Sequence, residues 1–341
     1  MQIYKRKKRQ FRAWDTDPPK YRFLRPLLIL GVIAASALLV MSLLQKPDIY
    51  RDIQDMTKES RFEEAERLAR SLYEKDPLDV RALLLLGRNY FQQAVAFDHQ
   101  ERGESETEEG WEQYQNAVEA LKKAILLDKD NLLGSFDYFI LGYAYLKRGK
   151  QHYGDALEYL RQAESMDAGD MQLSKAKDPF ARKEILQQTM GYLYYQTGEY
   201  TNALGYYRLH NSKNPNILDH VYIGLCELAL GEYSGAIANF RLVRDHTSQN
   251  QLKFFAVKQL ARIYFHLEQY AEAENFFKSS VEFNTNYAEG FYWLGKLEEM
   301  REDSAAARRY WERSLEADPY FGPAILKLRF SPQHGTNSKN S

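Results

Sequence analysis

The chain has 341 residues, with 46 lysines and arginines, 47 aspartates and glutamates, and one cysteine. Nine of the basic residues lie in the first 25 positions beside only two aspartates, so the rest of the chain is acidic by about eight charges. An acidic body excludes nucleic acid as the main ligand, because such binding depends on neutralising phosphates. A single cysteine excludes an internal disulfide. Tyrosine is abundant and strand-type alternation is nearly absent, which predicts an all-α fold.

Residues 1–25 form a basic segment with interleaved aromatic residues. Lys5 to Arg9 read KRKKR, and four more basic residues follow before position 26. Such a run before an apolar stretch is typical of the cytoplasmic end of a membrane span, since lysine and arginine are retained inside and attracted to anionic lipid. The alternative is a nuclear-targeting or nucleic-acid-binding patch. We favour a cytoplasmic segment that flanks a membrane helix.

Residues 26–45 are predicted to form one transmembrane helix. Positions 27–44 contain 18 residues without a charge, and a helix of that length covers about 27 Å, close to the thickness of bilayer hydrocarbon. A cleaved signal peptide is the alternative, because the sequence ASA at 35–37 resembles a cleavage site. Cleavage there would leave the apolar residues 38–44 at the new N terminus, which favours the membrane span. We therefore expect residues 27–44 to contact the lipid bilayer.

The charge difference across this span predicts its orientation. Positive charges precede it and a mixed, slightly acidic segment follows, so the N terminus should remain in the cytoplasm. The protein is then a single-pass protein of the cytoplasmic (inner) membrane, with its body in the periplasm or otherwise on the non-cytoplasmic side. Display of the body in the cytosol, as in some organelle import receptors, is an alternative that the KRKKR run disfavours.

The stretch from Glu184 to Ile217 contains two amphipathic helical runs joined by a short turn. Glycine inside a helix costs about 1 kcal/mol, so Gly191 needs a packing reason. We expect it to lie against Ala203, twelve residues on, so that the two helices approach closely. Pro215 ends the second run. The unit resembles a tetratricopeptide repeat (TPR), which has Leu-Gly and Tyr in its first helix, Ala and an aromatic residue in its second, and a terminal Pro.

The resemblance extends over most of the chain and implies a TPR helical solenoid of about seven helix-turn-helix repeats. Three repeats form an N-terminal sub-array at 46–168, a polar linker at 169–183 interrupts the stacking, and four repeats form a C-terminal sub-array at 184–321. The small residues that mark the last four repeats recur at intervals of 33, 37 and 34 positions. Residues 322–330 are predicted to be a capping helix over the final apolar face, and 331–341 a disordered polar tail.

An acidic insertion at about 97–110 interrupts the second repeat. It contains the sequence HQERGESETEEG, and the second helix of that repeat resumes only near Ala117. We expect a solvated loop or an extension of the following helix, and a peripheral docking feature is the alternative.

The sequence contains no motif that predicts catalysis. The seven histidines are scattered, none is paired at helical spacing with another histidine or with the cysteine, and glycine-rich phosphate loops and nucleophile elbows are absent. Cys226 lies in a helix that should be buried. We therefore predict no enzyme activity, no metal site and no cofactor.

With no catalytic motif, protein recognition is the predicted kind of function, and the TPR resemblance implies which surface carries it. In that family the first helices of successive repeats line a concave face. The residues at the corresponding positions of this chain are mostly aromatic or basic, which would suit a peptide with apolar anchors and acidic residues. The predicted protein-binding residues are Arg88, Phe91, Phe136, Phe139, Tyr143, Gln188, Tyr192, Tyr195, Lys258, Arg262, Tyr292 and Lys296. The alternative is that several of these aromatics only pack between neighbouring helices.

Two functions follow from these features. The first is a membrane-anchored TPR scaffold or adaptor whose groove binds other proteins on the non-cytoplasmic side, in support of the assembly or quality control of an envelope complex. Secretion, envelope biogenesis and appendage or flagellar-motor assembly are examples of such systems. The second is a structural component that assembles with copies of itself into a membrane-associated ring or collar, as a homo-oligomer.

Overall fold

The computed structural model describes residues 48–100, 108–170 and 183–330, together with Ser36. The predicted basic segment 1–25, the tail 331–341 and, apart from Ser36, the predicted transmembrane helix 26–45 lie outside these residues. Within the described ranges, no helix combines the length and the apolar character needed to cross a membrane.

The described ranges contain fifteen α-helices and no strand. The helices are α1 (Ile49–Lys58), α2 (Phe62–Lys75), α3 (Val80–Gln100), α4 (Glu108–Leu127), α5 (Ser135–Lys147), α6 (Tyr153–Asp170), α7 (Lys183–Gln196), α8 (Tyr200–Lys213), α9 (Ile217–Ala229), α10 (Tyr233–His246), α11 (Asn250–His266), α12 (Tyr270–Phe283), α13 (Ala288–Met300), α14 (Ser304–Ala317) and α15 (Gly322–Phe330). Consecutive helices pack as hairpins, from α1 with α2 to α13 with α14, and each hairpin also packs on the next. We call these seven hairpins repeats 1 to 7, and α15 follows them.

Five of the seven repeats, 2 to 5 and 7, pack a glycine of the first helix against a large residue of the second. A Cβ atom added at Gly191 would lie 3.2 Å from the ring of Tyr207, and one added at Gly224 would lie 3.1 Å from the ring of Phe240. The side chain nearest to Gly191 is therefore that of Tyr207, four residues after Ala203, and the packing of Gly191 against Ala203 stays a prediction. The absence of a Cβ atom lets a ring of the second helix pack closely against the first helix.

The acidic insertion is largely helical where it is described. Helix α3 continues to Gln100 and α4 begins at Glu108, so only 101–107 lie outside the described residues. Asp98 joins this extension to its neighbours, since its carboxylate accepts a hydrogen bond from Tyr114 at 2.8 Å and pairs with Lys147 at 2.8 Å. The predicted loop at 97–110 is thus replaced at both of its ends by helix.

Repeats 3 and 4 pack directly on each other across the predicted linker, of which 171–182 lie outside the described residues. Arg161 of α6 donates a hydrogen bond to the hydroxyl of Tyr194 at 2.9 Å, and Tyr206 of α8 donates one to Glu164 at 2.6 Å. One buried apolar cluster extends from repeat 1 to repeat 5. The packing therefore joins the two predicted sub-arrays at this point, where an interruption of the stacking was expected.

In the six repeats whose turn between the two helices is described, the turn contains one residue with positive φ. These residues are Ser60 (61°), Gly149 (98°), Gly198 (82°), Gly231 (78°), Glu268 (59°) and Glu302 (62°), each two positions after the end of the first helix. Glycine adopts this conformation without strain, whereas other residues pay about 1 kcal/mol or more. Glutamate at two of these positions is therefore a local weakness of the fold.

We expect Glu302→Gly to stabilise the protein by about 0.5 kcal/mol. Removal of the Cβ atom relieves the left-handed strain, and the greater freedom of glycine in the unfolded chain offsets part of this gain. Urea unfolding followed by far-UV circular dichroism measures the change. Glu302→Ala is the matched control, because alanine keeps the Cβ atom, and it should be close to neutral. A glycine variant less stable than the alanine variant would contradict the argument.

Cys226 provides an independent probe of folding. Its side chain is fully buried, and burial raises the pKa of its thiol to about 12. The thiolate is the reactive form, so we expect a disulfide reagent at pH 8 to modify the folded protein at least about a hundredfold more slowly than the urea-unfolded chain. Because the folded-state pKa is the higher one, this group favours folding less as the pH rises from about 8.5 towards 12. Rapid labelling in native buffer would contradict the placement of Cys226.

Candidate functional site

The twelve predicted binding residues all lie on first helices of repeats, namely α3, α5, α7, α11 and α13. They are not equally accessible. Phe91 and Phe139 are only 1% and 0% exposed, so these two belong to the core and cannot contact a partner in this conformation. The other ten retain partial or full exposure.

In repeats 2 and 3 the predicted face is used for packing within the chain. The guanidinium of Arg88 forms a two-pronged ion pair with Asp137 of α5, at 2.7 and 2.8 Å, and the Asp137 side chain has no exposed surface. Phe91 contacts Phe136 and Tyr143 edge to face, with ring centroids 6.5 and 5.7 Å apart. The charge of Arg88 is therefore matched within the chain, and the aromatic side chains here pack between neighbouring helices, while the binding role of this part of the face stays a prediction.

In repeat 4 the predicted residues border a buried polar pair. Gln188 lies 3.5 Å from Nδ1 of His210, which in turn lies 2.6 Å from a carboxylate oxygen of Asp219. Burial raises the pKa of Asp219, although the hydrogen bond with His210 acts in the opposite direction. Both members of the pair are buried, so their role is to fix repeat 4 on repeat 5.

Two sets of four aromatic residues occupy equivalent places, one where repeat 4 meets repeat 5 and one where repeat 6 meets repeat 7, and we call each set an aromatic quartet. The first quartet is Tyr195, Tyr200, Tyr207 and Tyr222, and the second is Phe265, Tyr270, Phe277 and Trp293. In the first, Tyr222 stacks on Tyr207 with ring centroids 4.8 Å apart and an angle of 4° between the rings. This stack fills the centre of the quartet, and the half-buried Tyr192 and Tyr195 lie edge-on to Tyr222 at its rim.

The second quartet borders a cavity of about 480 Å³ that also reaches Arg262 and His266. Trp293 lies 4.6 Å from Phe265 and 6.1 Å from Phe277, measured between ring centroids. None of the four members of this quartet was among the predicted residues. The signal that could have found them is the alignment of the repeats with one another, because Phe265, Tyr270 and Trp293 occupy the repeat positions of Tyr195, Tyr200 and Tyr222.

A second cavity of about 520 Å³ lies where α13 and α14 meet α15. Tyr292, Trp311 and Lys327 border it, together with Leu326 and Phe330 of the last helix. Helix α15 buries Ala324 but leaves Leu326 57% and Phe330 74% exposed. It therefore packs against repeat 7 and presents an apolar surface of its own.

The basic residues of the C-terminal half line the same face. Lys258 lies within 6.0 Å of the ring centroids of Phe254, Phe255 and Tyr287. The side chain of Arg262 is 51% exposed, and its nearest carboxylate oxygen, on Glu289, is 3.8 Å away. The face thus combines aromatic surface with positive charge. Among the described residues, no three His, Cys, Asp or Glu side chains are grouped as metal ligands would be.

Such stacked helical hairpins define the class of α-solenoid proteins. Tetratricopeptide repeat models match residues 58–97, 106–131 and 259–287, so the chain contains TPR repeats and its described part is an all-helical TPR solenoid. No curated protein is significantly similar in sequence.

Two solved structures share the fold. The C-terminal part of a TPR repeat-containing protein from Cytophaga hutchinsonii is 15% identical, with a TM-score of 0.54 over 82% of this chain and 99% of that one. The apo form of RapI is 17% identical, with a TM-score of 0.53 over 84% of this chain and 81% of that one. At these identities the likeness concerns the fold alone.

Proposed function

We propose that the protein is an interaction scaffold that binds another protein through the concave face of repeats 4 to 7, without catalytic turnover. The observation that carries this proposal is the surface around the two cavities, where aromatic side chains are combined with exposed Arg262. Interfaces take most of their binding energy from buried aromatic and arginine anchors. TPR solenoids offer an extended concave surface for such contacts, which supports the assignment.

We further propose that residues 27–44 anchor the protein in the cytoplasmic membrane and that the repeats act on the non-cytoplasmic side, in the assembly or quality control of an envelope complex. The support comes from the sequence, in which nine basic residues precede 18 uncharged ones. Alkaline phosphatase and green fluorescent protein, each fused after Phe330, test the orientation. We expect an active phosphatase and a dark fluorescent protein, and the reverse result would place the repeats in the cytoplasm.

Site-specific crosslinking in intact cells tests the scaffold function. Photoreactive residues replace Tyr192 and Tyr292 on the concave face, and Glu158, which is exposed on the second helix of repeat 3, is the control position. We expect the concave positions to capture a protein other than this chain, which mass spectrometry then identifies. Equal capture from the control position would exclude the concave face as the binding surface.

A second candidate function is a self-assembling structural component of a membrane-associated ring or collar. The observation that favours it is the apolar surface of α15, because large exposed apolar patches mark interaction sites. Light scattering during size-exclusion chromatography, over a hundredfold dilution series, distinguishes the two functions. A stable oligomer that Phe330→Ser dissociates would support self-assembly, and a monomer at all concentrations would support the scaffold.

A further inference from the structure

One edge of the array carries the starts of the first helices and the ends of the second helices, because the two helices of a hairpin are antiparallel. In repeats 1 and 2 this edge consists of residues 48–50, 75–81 and 126–134, and we call it the N-terminal edge. Direct contacts join its first two parts. The hydroxyl of Tyr50 donates a hydrogen bond to Asp79 at 2.8 Å, and the guanidinium of Arg81 lies 5.8 Å from the ring centroid of Tyr50.

Large apolar side chains are exposed along the N-terminal edge. Leu78, between α2 and α3, is 69% exposed, Leu126, in the last turn of α4, is 83% exposed, and Ile49, in the first turn of α1, is 37% exposed. Single exposed leucines are common on protein surfaces. The meaning of these three therefore depends on what lies next to this edge.

The chain enters the array at this edge, directly after the proposed membrane span. The apolar stretch ends at position 44, and the side chain of Asp48 caps α1 by accepting a hydrogen bond from the backbone N–H of Tyr50 at 3.3 Å. Positions 44 and 48 are four residues apart, and an extended chain covers at most about 14 Å over that length. The start of α1 is therefore confined to the headgroup region of the bilayer or to the water just beyond it.

The charged side chains of the N-terminal edge are compatible with a lipid surface. Lys75, Arg81 and Lys129 are exposed here, and such long side chains can reach lipid phosphates while neighbouring leucines enter the apolar region. Four aspartates of the edge accept hydrogen bonds from backbone N–H groups of the caps and connections, namely Asp48, Asp76, Asp79 and Asp128. Since both signs of charge are present, the edge suits zwitterionic lipid.

We propose that the N-terminal edge is a lipid-contacting surface, through which repeats 1 and 2 lie on the bilayer with Leu78 and Leu126 inserted between zwitterionic headgroups. Removal of these side chains from water favours the contact, and the short connection after position 44 keeps the edge close to the lipid. Leu218 and Phe283 are exposed at the same edge of later repeats, but the connection ties only the first repeats to the bilayer. The inference rests on the proposed membrane anchor and holds for either orientation of the span.

Quenching by spin-labelled lipid tests the proposal on the full chain. Leu78→Cys, Leu126→Cys and the control Glu59→Cys are each labelled with the fluorophore NBD and reconstituted into phosphatidylcholine vesicles, with or without lipid that carries a doxyl group near the headgroup. The unsubstituted chain, whose Cys226 is buried, reports background labelling. Glu59 is exposed at the other end of the 10-residue helix α1, about 15 Å from the edge. We expect doxyl lipid to remove about half or more of the emission at 78 and 126 and about a tenth or less at 59.

Two results would overturn the inference in the labelling experiment. Equal quenching at positions 59 and 78 would show that the label meets lipid without regard to the edge that carries it. Emission at 78 that is shifted to the blue but not quenched by doxyl lipid would show that a protein neighbour, such as a second copy of this chain, covers the edge.

Flotation of the vesicles in a sucrose gradient separates this inference from the membrane anchor. A chain that floats with the vesicles but is unquenched at positions 78 and 126 would keep the anchor and overturn only the lipid-contacting edge. A chain that stays at the bottom of the gradient would overturn both.

Discussion

Asp137→Ala is expected to destabilise the protein by about 3 kcal/mol, because it leaves the largely buried guanidinium of Arg88 without its partner. The Asp137 side chain is fully buried and also accepts a hydrogen bond from the backbone N–H of Gly134 at the start of α5. Urea unfolding followed by far-UV circular dichroism measures the loss. Since stability in solenoids is a sum over neighbouring repeats, we expect an early unfolding step from repeats 2 and 3.

A double-mutant cycle separates the ion pair from the capping bond. Arg88→Met alone should also be strongly destabilising, because the buried carboxylate of Asp137 then lacks its cation. The double variant should be more stable than the sum of the two losses predicts, by about 1 kcal/mol or more. Glu312→Ala, which breaks the exposed pair with Arg308, is the control and should cost less than about 0.5 kcal/mol. Additive losses at Arg88 and Asp137 would show that the pair is not coupled.

Gly142→Ala has the second large expected effect, a loss of about 2–3 kcal/mol. A Cβ atom at this position would lie 2.4 Å from Cγ of Leu160 and 2.9 Å from the carbonyl oxygen of Ala156, so both a side chain and a helix backbone must move. The unfolding midpoint in urea reports the change, and the altered contact lies within repeat 3.

Gly205→Ala is the matched control for this prediction. Gly205 lies inside α8, is exposed, and has no atom within 4 Å of an added Cβ. Alanine should therefore stabilise the protein by about 0.5–1 kcal/mol, because only the helix propensity changes. If both substitutions changed the free energy of unfolding in the same direction, close packing would not explain why position 142 is a glycine.

The two ends of the predicted groove differ in how much surface they offer to a partner. At the N-terminal end of the predicted groove, Arg88, Phe91 and Phe139 serve the stability of the array, which leaves less of that end for a partner. The C-terminal half combines Arg262, exposed in part, with aromatic cavities that no side chain of the described chain fills. A partner is therefore expected to bind in repeats 4 to 7.

The sequence alone determined the helical hairpins and their order. Gly191, Gly224 and Gly295 mark first helices that the structure contains, and the repeat models confirm TPR repeats at 58–97, 106–131 and 259–287. This part was predictable because helix periodicity, turns and the spacing of small residues act within about 34 positions of the chain.

Only the tertiary structure decided which side chains of the concave face remain available. Phe91 and Tyr195 occupy the same place in their repeats, four residues after Gly87 and Gly191, yet Phe91 is enclosed by rings from α4 and α5 while Tyr195 stays partly exposed. Arg88 finds Asp137 49 residues further along the chain. Burial and charge pairing depend on the neighbouring repeat, and no local pattern specifies which residue of that neighbour meets a given side chain.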